Sequence, residues 1–168
     1  MLKSENIFLR KVQLTDVDFI LSCENNTENW EISGTTKPFT KTEISQFVNG
    51  NHNIIENEQI RYVICLNENK IPIGTIDLFE LDIKSKTIGV GVLIANKEQR
   101  QKGYASEALK LISDYCRNEL NIVTIFCNIF KENKSSIRLF EKNGYQFIDE
   151  RILFEKPVNY YELKLVAP

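Results

Sequence analysis

The sequence has one histidine and one tryptophan, and it carries no surplus of either charge: 21 basic residues against 23 acidic ones leave a formal net charge of −2. Duplex nucleic acid demands a basic face, so this balance excludes nucleic acid as a partner. It is compatible with a cationic substrate without arguing for one. The lone histidine, His52, lies among asparagines and reads as a surface residue. The four cysteines, Cys23, Cys65, Cys116 and Cys127, are widely spaced and form no CxxC pair, which argues against a zinc site and predicts buried free thiols. No stretch approaches the roughly 18 apolar residues of a membrane span, and MLKSENIFLR lacks the apolar core of a signal peptide. The expectation is a cytoplasmic protein with no metal and no membrane partner.

What is present is ordinary globular material: 168 residues, 42% hydrophobic and 26% charged, enough for a single domain over 1–168 with its own core. Ile7, Leu9 and Val12 sit in a short β-prone run, followed by a helix start with Thr15 as N-cap and Asp16 in the first turn. Residues 25–41 read as an irregular loop, and loops of this length in compact domains are usually functional or mobile. Thr42 is the expected cap of a second helix running through Phe47. From residue 61 the period changes to two, which predicts a three-stranded meander over 61–67, 71–82 and 87–95. A helix over 104–117, an apolar strand over 122–129, a helix opened by Asn133 and Ser135 and closed by Gly144, and a final hairpin around Pro157 complete the chain. Strand, crossover helix and strand form a right-handed unit, so 87–95 and 122–129 run parallel within a mixed α/β sheet flanked by helices.

The most informative stretch is IGVGVLIANKEQRQKGYAS, residues 88–106, where a β-prone run passes through a charged loop into a helix. Gly103 and Ala105 permit close approach to the backbone, and the first amides of the helix have no internal acceptor. Those N–H groups, the positive end of the helix dipole and the charges of Arg100 and Lys102 favour a pyrophosphate. No Gly-Lys-Ser/Thr follows, so this is not an ATP-type phosphate loop. Gly89 and Gly91 weaken the preceding strand and mark a bulge or a close approach of another backbone or ligand.

RQKGYA, from Arg100 to Ala105, resembles the Q/R-x-x-G-x-G/A acyl-CoA motif of the GNAT family of N-acetyltransferases, between a strand and a helix as in that family. A second segment, NKSSIRLFEKNGYQF from Asn133 to Phe147, resembles the family's N-x-x-S/A-x-x-L-Y-x-K-x-G-F signature. NIFLRKV, GTIDLFELD and NYYELKLV are softer similarities to the branch that contains ribosomal-protein N-terminal and spermidine/diamine acetyltransferases. The resemblance implies a GNAT fold of about seven strands and four helices with 87–95 and 122–129 splayed apart. It further implies acetyl transfer from acetyl-CoA to a small polyamine-like amine or to a protein N-terminus, and a homodimer is common in the family. A non-catalytic acyl-CoA sensor is the alternative.

The resemblance also assigns roles. The backbone of Gln101, Lys102, Gly103, Tyr104, Ala105 and Ser106 would hold the pyrophosphate, with Arg100 and Lys102 offsetting its charge. Val92, Leu93 and Ile94 would offer backbone groups to pantetheine and the thioester oxygen, Asn133 would bond the pantetheine arm or cap its helix, and Lys142 would meet the phosphates or solvent. The glutamate often found on the third meander strand is replaced at Gly89, which leaves Asp77 as the candidate base or cation-attracting group beside Glu80 and Asp82. The tyrosine that commonly protonates the departing thiolate is Phe140 here, so Ser136, another hydroxyl, water or unassisted departure must serve. Trp30, Glu31, Asp77, Glu80 and Tyr160 are candidate acceptor-side residues; Tyr160 and Tyr161 point to opposite faces of the last strand, so one faces the acceptor groove and the other the core.

Overall fold

The computed structural model describes residues 1–29 and 35–167. In chain order the elements are β1 (Leu2–Lys3), β2 (Ile7–Lys11), α1 (Val17–Glu24), α2 (Lys41–Val48), α3 (Ile54–Asn57), β3 (Ile60–Leu66), β4 (Pro72–Asp82), β5 (Thr87–Ile94), α4 (Tyr104–Glu119), β6 (Thr124–Phe130), α5 (Lys134–Lys142), β7 (Gln146–Leu153) and β8 (Lys156–Lys164). They build one mixed sheet in the order β1-β2-β3-β4-β5-β6-β8-β7, antiparallel except for the β5–β6 pair. The mixed α/β class matches the sequence. The counts are eight strands and five helices among the described residues, because β1 and α3 are too short to carry a periodic signal.

Strand alternation sorts the side chains onto two faces. Ile7, Leu9, Ile64, Ile76, Leu78, Ile88 and Ile125 point to one face, where Ala108, Leu109, Ile112 and Cys116 of α4 and Phe140 of α5 close the larger apolar cluster. On the other face Phe8, Val63 and Cys65 pack under Ile20 of α1 and Ile44 and Val48 of α2. Beyond β3 this second face continues through Asp77, Phe79, Gly89, Phe126 and Tyr160, which belong to neither cluster. All four cysteines are free and buried, as expected.

Local hydrogen bonding corrects three readings. Thr15 does not cap α1: the Asp16 carboxylate, 1% exposed, is drawn inward by Arg10 at 2.7 and 2.8 Å and accepts the Gln13 amide at 2.8 Å, so a 3-10 turn over Leu14–Asp16 precedes the helix. The cap of α2 is Thr40 rather than Thr42. Thr40 Oγ1 accepts from the Glu43 amide and Glu43 Oε1 accepts from the Thr40 amide, each at 3.1 Å, a reciprocal box that requires a glutamate three residues on. The last hairpin turns at Phe154 and Glu155, both left-handed (φ 51° and 63°), and Pro157 lies within β8.

The feature that positions the site is the parting of β5 from β6. Their parallel register runs through Thr87/Thr124, Ile88/Ile125 and Gly89/Phe126 and stops there. Past that point β5 stays paired to β4 as far as Ile94, and β6 stays paired to β8 as far as Phe130. The facing edges of the two strands therefore diverge and leave a wedge between them, with unpaired backbone groups along β5.

Candidate active site

The wedge leads into the β5–α4 junction. A 3-10 turn over Lys97–Gln99 starts where Asn96 Oδ1 accepts the Glu98 amide, and Arg100 Nε returns to donate to the Ile94 carbonyl at 2.8 Å. The structure thus uses Arg100 to tie the loop to the end of β5. Gln101 and Gly103 are both left-handed, φ 61° and 84°, and nothing lies within 4 Å of where a Gly103 side chain would begin. The loop turns tightly at these residues and leaves open space over the start of α4. Helical bonding begins with the Glu107 amide on the Gly103 carbonyl at 3.0 Å, so the amides of Tyr104, Ala105 and Ser106 have no intrahelical acceptor. Lys102, exposed, bonds Gln99 at 3.3 Å.

The ladder decides which part of β5 faces the wedge. The Leu93 carbonyl lies against Gly74 on β4, where an added Cβ would meet it at 2.1 Å, and the Ala95 amide bonds Ile73 of β4. Antiparallel alternation then turns the backbone groups of Leu93 toward β4 and those of Val92 and Ile94 toward β6. Of the three residues predicted to offer backbone to pantetheine, Leu93 is thereby corrected, because its peptide groups serve the β4 ladder.

The second motif closes the other side. Asn133 caps α5, its Oδ1 accepting the Ser136 amide and the Ser135 hydroxyl, each at 3.2 Å, so the capping role is realised and Ser136 sits half-buried in the first turn. Asn143 Nδ2 donates to Ser106 Oγ at 3.1 Å and joins the two motifs directly. Phe140 is 4% exposed and packs edge-on against Tyr145 at 4.9 Å, with no hydroxyl to give. Lys142 is exposed in the last turn.

On the opposite face the acceptor-side residues fall into three groups. The Phe79 ring lies over Gly89, meets Phe126 edge-on at 5.8 Å, and Phe126 meets Tyr160 at 5.8 Å under the Arg151 guanidinium, 3.4 Å from the Tyr160 ring. Tyr160 is therefore the tyrosine on this face, and Tyr161 lies in the larger core cluster. Burial and the hydrogen bond to Glu162 push the Tyr160 phenol up to about 12. Burial alone would raise Glu162, but hydrogen bonds from Tyr160 and Lys164 outweigh it and leave its carboxyl below the usual range. Asp77 accepts two bonds from Arg61, both at 2.8 Å, and Arg61 also binds Glu24 at 2.5 Å. Glu80 does not converge with Asp77: it sits exposed in the β4 bulge (φ 51°), beside a depression of about 390 Å³ that it shares with Glu58 and Asp82. Trp30 and Glu31 lie outside the described residues.

These features meet in the comparisons with known proteins. Residues 6–146 match the family model of the acetyltransferase (GNAT) domain. The chain belongs to the GNAT acetyltransferase family. A spermidine N-acetyltransferase from Vibrio cholerae, solved with CoA and spermine, superposes with a TM-score of 0.83 at 21% identity, covering 94% of this chain and 95% of that one. A candidate ribosomal-protein-serine acetyltransferase from the same organism superposes with a TM-score of 0.78 at 19% identity, covering 98% and 97%. An alpha/beta-tubulin N-acetyltransferase from Mus musculus is 30% identical over 90 residues, which is 53% of this chain and 37% of the mouse protein.

Within a GNAT enzyme the cofactor is acetyl-CoA, and the geometry fits it. A left-handed loop opens the α4 amides to a pyrophosphate, and the wedge presents the backbone of Val92 and the amide of Ile94 to an extended arm, the Ile94 carbonyl being taken by Arg100. Sequence reasoning missed Phe79, Phe126, Arg61 and Glu162. Their residue types carry no motif, and only the strand register brings them to one face. Burial also pushes the thiols of Cys23 and Cys116 up to about 11 and about 12, which keeps them protonated and inert. Among the described residues no helix is long and apolar enough to cross a membrane, and no cluster of metal-ligating side chains occurs.

Proposed function

We propose that this GNAT enzyme acetylates an amine of low basicity, the α-amino group of a peptide or protein N-terminus, in preference to a linear polyamine. The observation that carries this reading is the Phe79 ring over Gly89, where a carboxylate base would otherwise rise from β5. Without that base the acceptor must arrive largely neutral. An α-amine of pKa about 7.8 is roughly one-seventh neutral at pH 7, whereas a lysine-like amine of pKa about 10.4 is neutral in only about one molecule in 2,500. The charges agree. Asp149 is paired to Arg151 and Glu162 to Lys164, and Asp77 and Glu24 share Arg61, so these carboxylates leave a polycation a surplus of one negative charge.

In this reading Phe79, Phe126 and Tyr160 form an apolar wall for the first side chain of the peptide. Glu162 lies in register with Phe126, which is in register with Gly89, and, held by Lys164, it accepts the Tyr160 hydroxyl and fixes that ring at the end of the wall. Asp77 and Arg61 act as a positioning pair for α1 and β4. The thiol leaves with Ser136 or water nearby, since Phe140 has no proton to give; a thiol of pKa about 8.5 is a tolerable leaving group.

The test is a thiol-release assay with acetyl-CoA over pH 6.5 to 8.5, comparing short peptides with free N-termini, the same peptides blocked at the N-terminus, and spermidine. Free peptides are expected to exceed spermidine by at least tenfold in kcat/KM, and blocked peptides to be inert. A preference for spermidine overturns the acceptor assignment. Tight acetyl-CoA binding with no turnover on any amine would instead favour the sensor.

A further inference from the structure

The two sequence motifs meet in a polar contact between the end of α5 and the first turn of α4. Asn143 is the C-cap of α5, and its Nδ2 donates twice, to the Leu139 carbonyl at 2.8 Å and to Ser106 Oγ at 3.1 Å. The Leu139 carbonyl can only accept, so it fixes which end of the Asn143 amide is nitrogen. That nitrogen has one hydrogen for each of these two oxygens and no lone pair to offer in return.

The consequence falls on Ser106. Its oxygen is an acceptor toward Asn143, so its own proton must point elsewhere. A helical serine commonly turns its hydroxyl back to a carbonyl of the preceding turn, as Ser113 does to Leu109 at 2.8 Å further along the same helix. Ser106 does not: among the described residues no acceptor takes its proton. Side chains lean toward the N-terminus of a helix, so the hydroxyl lies beside the end of α4 where the amides of Tyr104, Ala105 and Ser106 have no intrahelical acceptor. This is the end that the turn at Gly103 leaves open.

We propose that Asn143 is a positioning residue for the cofactor: by occupying the oxygen of Ser106, it holds the Ser106 hydroxyl as a donor to the pyrophosphate of acetyl-CoA. The hydroxyl adds to the three free amides, and Asn143 acts through Ser106 rather than on the cofactor. The α5 cap, part of the second motif, thereby completes the anion site of the first. The inference concerns the cofactor alone and holds whichever amine is acetylated.

The test is calorimetric titration of acetyl-CoA into the full chain and a cycle of variants. A donor to an ionised acceptor is worth about tenfold or more in affinity, so Ser106→Ala is expected to weaken binding by at least that factor. Ser106→Thr keeps the hydroxyl and is expected to bind within about threefold of wild type. Asn143→Ala leaves the hydroxyl in place but free to turn away, and is expected to cost about three- to fivefold. The combinations decide the matter. Asn143→Ala is expected to cost the same again when combined with Ser106→Thr, and nothing further when combined with Ser106→Ala. A residue that only held α5 in place would cost as much in both backgrounds, so equal losses overturn the proposal. Unchanged affinity in Ser106→Ala overturns it as well. With 3′-dephospho-CoA the Ser106→Ala loss is expected to persist; its disappearance would give the hydroxyl to the 3′-phosphate and overturn the assignment to the pyrophosphate.

Discussion

Gly89→Ala tests whether the Phe79 ring occupies the place of a base. A methyl group added at Gly89 would lie 2.4 Å from Cε2, 2.7 Å from Cζ and 2.8 Å from Cδ2 of Phe79, whereas carbon atoms rest at about 3.5 to 4.0 Å. The ring must therefore retreat by about 1 Å, and it is held from behind by Phe126, which is itself stacked on Tyr160. Forcing a methyl into such a site costs about 1 to 3 kcal/mol. In a chain of this length about 2 kcal/mol corresponds to a melting temperature lower by roughly 6 °C. Calorimetry or urea unfolding of Gly89→Ala, Phe79→Ala and the double variant measures it. The double variant is expected to be more stable than the sum of the single losses predicts, by about 1 kcal/mol or more, because Phe79→Ala removes the atoms the methyl strikes. Strict additivity, or a Gly89→Ala protein that melts within about 1 °C of wild type, refutes the placement of the ring and with it the account of the missing base.

Three further outcomes follow from the site. Gln101 holds a left-handed conformation that costs a side chain about 1 to 2 kcal/mol, so Gln101→Gly is expected to raise the melting temperature by a few degrees and to retain or tighten acetyl-CoA binding, measured by calorimetric titration; a clear loss of stability would contradict the loop geometry. Phe140→Tyr restores a proton donor where the family motif carries one and is expected to raise kcat by about tenfold or more, whereas a large fall with unchanged acetyl-CoA affinity would place the ring away from the thiol. Burial alone would raise the Glu107 carboxyl, but bonds from Ser4 at 2.6 Å and from Asn6 at 3.0 and 3.1 Å outweigh it and lower its pKa. A lowered folded-state pKa contributes stability that is present above the unfolded value, about 4.3, and is lost as the pH falls through the folded one. Glu107→Gln is therefore expected to be less stable at neutral pH and to show a shallower loss below about pH 5 in urea titrations; an unchanged acid limb would contradict it.

Much of the cofactor side was legible in the residues themselves. The start of α4 after Gly103, the Asn133 cap, the Gly144 stop and the parallel pairing of β5 with β6 follow from hydrogen bonds and periodicities spanning a few residues, or from the handedness of one crossover. Even there the reading slipped where two local signals competed. Thr42 reads as the cap of the second helix, but the Glu43 side chain reaches back to Thr40 and makes that residue the cap, and Thr15 gives way to a carboxylate claimed by Arg10 from the neighbouring strand. The αL backbone at Gln101 explains why glycine would suit that position, which residue type alone does not reveal.

The arrangement of the candidate acceptor-side residues depends on contacts between residues far apart in the chain. Asp77 looked like an available carboxylate, and only the β3–β4 register sets Arg61 beside it. Gly89 looked like a bend, and only its register with Phe79 and Phe126 shows a ring filling the space above it. By itself the sequence determined the family, the cofactor and the elements that hold it, because helix ends and strand periods are short-range properties of the chain. Tertiary structure alone decided which carboxylates are paired, which backbone groups face the wedge and which strand edge stays open, because those depend on how separate strands align.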